Sequence, residues 1–296
     1  METRDLKTFV TVALLLNFNQ ASKVLHTAQS TVSLRIRALE EELKTRLFDR
    51  LGRRVMLTAA GERLLEYARK MLTIEEEARA WVGGEEKVRG ELTIRMPETL
   101  CLFRMSKVFH EFRAAYPNVR VRLLSSAHDG LGEELRKGVT DLAFLLADNV
   151  QSGDMRVECL GTEPLVVAVS PKHPLASCAM AGPSAFRSET VLLPVSHCSY
   201  RGIVERALAE AGVVPAPGLD FSSITAVKRY VAEGLGITIL PGVAVEEERA
   251  SGTLAVLPWA GGELEAMVLM LHHKDKWLTP ALQGFMDLCR VHVMQS

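Results

Sequence analysis

The sequence predicts an α/β protein with an all-helical, winged head, a long connecting helix, and then roughly 200 residues in which strands and helices alternate. Three observations lead there. The formal net charge is only -1, yet residues 1–70 hold 13 Lys+Arg against 8 Asp+Glu while the remainder holds 22 against 28. The first 57 residues read as short helical stripes followed by a turn-rich hairpin, and beyond Gly90 apolar runs of strand length trade places with helical segments. A basic front on an acidic body marks two functions in one chain.

In the head, Leu6, Phe9, Val10 and Ala13 recur at helical spacing; Ala21, Val24 and Leu25 form a second stripe; Val32, Ile36, Leu39 and Leu43 step along a third. His26-Thr27-Ala28 leaves room only for a tight turn between the second and third helices, with Thr27 as the expected N-cap. LFDRLGRRVMLT then offers two short extended runs around Leu51-Gly52, the pattern of a wing.

On the third helix the apolar residues take one side, which leaves Ser30, Leu34 and Arg37 facing away and Ser33 and Arg35 on the flanks. Gln29 and Thr31 sit in its first turn. A helix, a tight turn and a second helix with a polar first turn make a helix-turn-helix, whose leading turn enters the major groove. Gln and Ser hydrogen-bond base edges there, whereas Arg reads guanine or neutralises phosphate. Arg50, Arg53 and Arg54 on the wing suit the flanking backbone or minor groove. Glu40, Glu41 and Glu42 begin about 15 Å further along the axis, clear of the phosphates. The expected intrahelical partners are Lys44 for Glu40 and Arg46 for Glu42.

From Thr58 to about Glu86 one long helical pattern places Leu64, Ala68, Met71, Ala78 and Val82 on near-heptad spacing, interrupted by Glu75. Such a stripe needs a partner, either its own head or a second copy. Gly83-Gly84 and Gly90 mark a boundary. ELTIRM, VRVRLL, DLAFLL, LVVAVS, VLLPVS, GLDFSS, GITILP and MVLMLH then alternate with helices, as in parallel α/β sheets with ligands at strand ends.

Three strand-to-helix junctions put polar groups beside backbone N–H groups: Glu98-Thr99, Ser196-His197-Cys198-Ser199, and Ser222-Ser223 with Thr225. Helix starts of this kind favour an anion, although each taken alone also reads as an ordinary cap. Ser125 and Ser126 end a neighbouring strand. Arg201 either pairs with a ligand carboxylate or with Glu205 one turn on, and Glu98 either faces inward, favouring a ligand with an ammonium group, or outward as helix-start charge.

The residues A-x-x-x-L-H-x-x-Q-S-x-V-S-x-x-I-x-x-L-E, then L-F-D-R and L-T-x-x-G, resemble the LysR-type transcriptional regulators, and SSITAVKRYVAEGLGITILP resembles a later segment of the same family ahead of its Gly-x-Gly turn. The resemblance implies a winged helix-turn-helix DNA-binding domain over 1–58 and a linker helix that dimerises over 59–88. It implies an effector domain over 89–296 with two α/β lobes like periplasmic binding proteins, lobe I being about 89–160 and 266–296 and lobe II about 161–265. It also implies promoter DNA and a small-molecule effector as partners, contacts near the three junctions, and self-association to a dimer and then a tetramer. Leu16 and Lys44 depart from the pattern, standing where glycine is common in the family. Cys198 beside His197 lies where the peroxide-sensing branch keeps its reactive cysteine, but no second cysteine follows before Ala211, so a small residue lining the cleft is the competing reading.

Other classes find less support. There is no P-loop, no G-x-S-x-G and no H-E-x-x-H, and His272-His273 on a strand would point to opposite faces, so the reading is not an enzyme and carries no metal or cofactor. A small-molecule binder that merely retains a basic head stays open as the rival. Five scattered cysteines without a C-x-x-C pair read as reduced thiols. The polar start METRDLK and the lack of a long apolar run place the chain in the cytoplasm.

Overall fold

A computed structural model describes the whole chain except residues 52–53, 83–87, 126–129, 151–152, 188, 195–199, 215–218, 261 and 295–296; the side chains of residues 50, 51, 54, 73, 76, 77, 79–82 and 220 also lie outside the description. The chain divides into two compact units, one built chiefly from Met1–Glu91 and the other from Leu92 onward.

The first unit contains α1 (Thr3–Leu15), α2 (Phe18–Val24), α3 (Gln29–Glu42), the hairpin β1 (Phe48–Leu51) and β2 (Arg54–Leu57), and α4 (Ala59–Val82). Its core gathers Leu6, Phe9 and Val12 of α1, Ala21 of α2, Val32, Ile36 and Leu39 of α3, and Leu65 and Ala68 of α4. Phe48 is the hub: its ring lies 5.4 Å from Phe9 and 5.7 Å from Phe18, which explains the aromatic in L-F-D-R. The wing pairs antiparallel from Phe48↔Leu57 to Leu51↔Arg54.

Five local expectations are corrected. The N-cap of α3 is Ala28, extended at φ -66 and ψ 145 with no side-chain cap bond. Thr27 is used earlier, its N–H closing the turn on Ser22 O at 3.0 Å as the chain leaves His26 at φ 50. Val24 and Leu43 are exposed rather than apolar-facing, each lying where its short helix ends. Glu40 turns inward to accept from the N–H groups of Leu47 and Phe48 at 2.8 and 3.2 Å, and Glu42 lies 2.5 Å from the Met1 amine. Backbone donors at the wing entrance hold Glu40 better than a mobile Lys44 would.

The stripe of α4 also splits. Leu65 and Ala68 are buried in the head, whereas Tyr67, Met71 and Ile74 are exposed, and with Ala78 they step 4, 3, 4 along the helix. Thr58 starts α4: its hydroxyl accepts from Gly61 N at 3.0 Å and donates to Arg46 O at 2.7 Å. A Cβ at position 61 would lie 2.2 Å from Leu47 O, so L-T-x-x-G encodes a helix start pressed on the strand entrance.

The second unit runs β3 (Gly90–Met96), α5 (Glu98–Phe103), α6 (Ser106–Ala115), β4 (Val119–Ser125), α7 (Leu131–Arg136), β5 (Leu142–Ala147), β6 (Met155–Val169), β7 (Leu193–Pro194), α8 (Arg201–Glu210), β8 (Asp220–Phe221), α9 (Ile224–Ala232), β9 (Thr238–Pro241), α10 (Glu246–Ser251), β10 (Ala255–Leu257), β11 (Glu265–His273) and α11 (Pro280–His292). The seven-stranded sheet has the path β10-β6-β11-β5-β3-β4 with β9 also on β6. It forms two lobes because β6 is shared: Met155–Pro164 pairs with β11, and Leu165–Val169 pairs with β9 and β10.

An all-parallel arrangement does not hold. β3 and β5 are parallel, but β11 is antiparallel to β5 and β6, and β6 is antiparallel to β9 and β10. Strands that carry the chain out to the second lobe and back must run against each other, and apolar alternation does not record direction. In the second lobe Gly234, at φ 86, and Gly236, whose added Cβ would meet Thr190 O at 2.2 Å, form the Gly-x-Gly turn that brings Ile237 N within 2.9 Å of the same oxygen.

Candidate DNA interface and effector cleft

α3 buries Val32, Ile36 and Leu39, and this fixes what its other face offers. Gln29, Ser30, Leu34 and Arg37 are exposed, while Thr31, Ser33 and Arg35 are half-buried on the flanks. Gln29 Nε2 donates to Ser33 Oγ at 3.1 Å, holding the first-turn amide along the helix surface. Arg35 is partly committed elsewhere, with Nη1 3.3 Å from Thr8 Oγ1 on α1. Leu34, 65 % exposed between Ser30 and Arg37, was not singled out as a contact by polarity alone. A side chain there suits a thymine methyl. Arg50 and Arg54 flank the hairpin turn on paired strands, but their side chains, and the whole of Arg53, lie outside the described residues.

In the second unit the junctions separate into three cases. Thr99 is buried at the start of α5, with Glu98 exposed beside it. At the start of α9, Ser223 adopts an extended capping conformation without a side-chain cap bond, and Thr225 is exposed. His197, Cys198 and Ser199 lie outside the described residues, as does Ser126; Ser125 is exposed, and its carbonyl accepts from Arg95 Nη1 at 2.7 Å. Arg201 takes the local option, its Nε 2.6 Å from Glu205 Oε1.

Glu98 faces the other lobe, and its partners there are groups of the protein itself. Its Oε2 accepts from Ile224 N, the first N–H of α9, at 3.1 Å, and Ser223 Oγ lies 3.4 Å from Oε1. A carboxylate from the first lobe therefore occupies the positive end of a helix in the second. This joins two of the three junctions.

The other end of α5 meets a group of charges that sequence reading missed. Arg104 Nη2 lies 2.8 Å from Glu163 Oε2, and Val243 N donates to Glu163 Oε1 at 3.1 Å. Lys228 Nζ contacts Glu248 Oε1 at 2.7 Å and Ala244 O at 2.9 Å, and lies 5.3 Å from the centre of the Phe103 ring. The signal existed: Ile224, Val227, Lys228 and Val231 share one buried helix face, so Lys228 is a charge at a core position. Across the lobes Arg206 of α8 also pairs with Asp148, just past β5.

Burial, with the Glu98 charge as a lesser cause, pushes the Cys101 thiol on α5 above its ordinary pKa. Cys101, Cys159, Cys178 and Cys289 are free thiols. Among the described residues no group of three or more His, Cys, Asp or Glu side chains is arranged to hold a metal ion, and no helix is long and apolar enough to cross a membrane.

A winged helix-turn-helix unit followed by a two-lobed α/β unit defines a ligand-responsive DNA-binding regulator. Comparisons agree. Residues 3–62 match the family described as bacterial regulatory helix-turn-helix protein, lysR family, and residues 85–293 match the LysR substrate binding domain. The uncharacterized HTH-type transcriptional regulator YwqM of Bacillus subtilis is 35% identical over 98% of this chain and 99% of its own length. The HTH-type transcriptional regulator CzcR of the same organism is 31% identical over 100% and 99%. Among solved structures, a full-length OxyR variant from Pseudomonas aeruginosa superposes with a TM-score of 0.77 at 22% identity, covering 100% of this chain and 99% of that one, a likeness of fold. Full-length CbnR complexed with its target DNA gives 0.61 at 25% identity over 98% and 99%.

The chain belongs to the LysR-type family of transcriptional regulators. It is a DNA-binding regulator whose DNA binding is controlled through its substrate-binding domain.

Proposed function

We propose that Gln29, Ser30, Ser33 and Arg37, joined by Leu34, read base edges in the major groove, while Thr31, Arg35, Arg50, Arg53 and Arg54 hold the phosphates. The observation that carries this is the polar outer face of α3, with the core residues Val32, Ile36 and Leu39 directly behind it. Residues 1–58 then form the DNA-binding domain, 59–88 the dimerising linker and 89–296 the effector domain. The exposed Tyr67, Met71 and Ile74 favour pairing of α4 with a second copy, and two such dimers make the working tetramer. The half-sites are inverted and spaced by about one helical turn or a multiple of it. The protein works in the cytoplasm and catalyses no reaction.

For the effector we propose a small organic acid or an amino-acid-like metabolite bound in the cleft, with Glu98, Thr99, Ser125, Ser126, His197, Cys198, Ser199, Arg201, Ser223 and Thr225 along its walls. Support comes from the start of α9, which already accepts one carboxylate, that of Glu98. Sequencing duplexes selected by the full-length protein from a random pool tests the first reading: an inverted repeat is expected, and recovery of unrelated sequences overturns it. Titration calorimetry with a panel of dicarboxylic and amino acids tests the second, and no heat with any member counts against it.

A further inference from the structure

We propose that Glu98 is a releasable latch between the two lobes, holding them in one arrangement by capping α9 from the opposite lobe. The first N–H groups of a helix have no partner within it, and an N-cap Ser or Thr ordinarily supplies one. Ser223 stands at that position in α9 but makes no cap bond; its hydroxyl lies 3.4 Å from the Glu98 carboxylate, and that carboxylate accepts the Ile224 N–H at 3.1 Å. The capping of α9 is thus performed by the other lobe.

The two ends of α5 differ in how firmly they are held. At its C-terminal end Phe103 faces buried Lys228, and Arg104 meets Glu163, whose side chain is 1 % exposed. At its N-terminal end Glu98 is exposed, so water and solutes compete for its contacts. The buried end is a pivot and the exposed end is a catch. An anionic group arriving at the first turn of α9 competes directly with the Glu98 carboxylate, releases it, and shifts the lobes toward a second arrangement. This step rests on the cleft being the effector site; the latch itself does not.

The test uses full-length protein, operator duplex and no added small molecule. In Glu98→Ala, exchange of the Ile224 amide is expected to accelerate about tenfold or more, with the operator bend angle, read by fluorescence energy transfer between labelled duplex ends, shifted from the wild-type value. Glu98→Gln, which keeps the shape and one weaker acceptor, is expected to fall between. Arg229→Ala, on the exposed side of the same helix, leaves the carboxylate on Ile224 and is expected to resemble wild type. Unchanged exchange in Glu98→Ala overturns the proposal, and so does faster exchange with an unaltered bend. Failure of the calorimetric panel would remove the effector assignment without touching these results.

Discussion

Arg104 and Glu163 form an ion pair at the crossing between the lobes, 2.8 Å apart, with side chains 11% and 1% exposed. Glu163 lies on β6 just before its pairing passes from β11 to β9, and its second oxygen accepts from Val243 N. Taking one charge from such a pair strands the other in a poorly solvated place. Arg104→Ala is expected to destabilise the second unit by about 3 kcal/mol, and the double variant Arg104→Met with Glu163→Met by much less. Urea unfolding of both measures this; equal losses would show that the pair is not held as a unit.

Gly61 gives a sharper steric expectation. Its added methyl would stand 2.2 Å from a backbone oxygen, which cannot swing aside as a side chain does. Gly61→Ala should cost about 2 kcal/mol in the first unit, seen as a lower melting temperature. The neighbouring Ala59→Ser, at an exposed position, serves as the control and should change little.

Leu16 and Lys44 act in the opposite direction. Both hold left-handed backbone, at φ 48 and φ 50, where a Cβ is strained. Leu16→Gly and Lys44→Gly should each raise stability by about 0.5–1 kcal/mol, because relief of strain exceeds the added freedom of the unfolded chain. Chemical denaturation of each variant checks the sign.

DNA binding should separate the wing from the helix. Replacing Arg53 and Arg54 together with alanine is expected to weaken binding on all duplexes and reduce the slope of log affinity against log salt by about 2. Gln29→Ala and Ser33→Ala should instead change which sequence is preferred. Fluorescence anisotropy at several salt concentrations distinguishes the two, and identical behaviour would remove the division of labour. A small-molecule binder with an idle basic head would show neither effect.

The exposed stripe of α4 yields a prediction on assembly. Ile74→Lys places a charge in the middle of Tyr67, Met71 and Ala78 without touching Leu65 or Ala68 in the head core. It is expected to lower the sedimenting mass toward that of a monomer at micromolar concentration while the head keeps its melting behaviour.

What could be read from the residues was local. The period of α3 exposed Gln29 and buried Val32 and Ile36, because a helix face depends only on spacing. Phe48, Thr58 and Gly61 came through as motif letters, and their packing supplies the reason for each. The position of Glu40 departs from the helical pairing because its partners, Leu47 N and Phe48 N, become available only after the chain turns into the wing. The pairing of Arg104 with Glu163 is out of reach for a similar reason: 59 residues separate the two, and only the fold brings them together. Glu98 stands out at its helix start, but its partner is 126 residues away.

The position of β11 bears on how the molecule is made. Glu265–His273 follows the second lobe along the chain, yet it fills the slot between β5 and β6, so the nascent first lobe waits with two unpaired strand margins until the second lobe has been made. A chain cut short before Glu265 would keep those margins open and would be expected to aggregate instead of surviving as a shorter regulator.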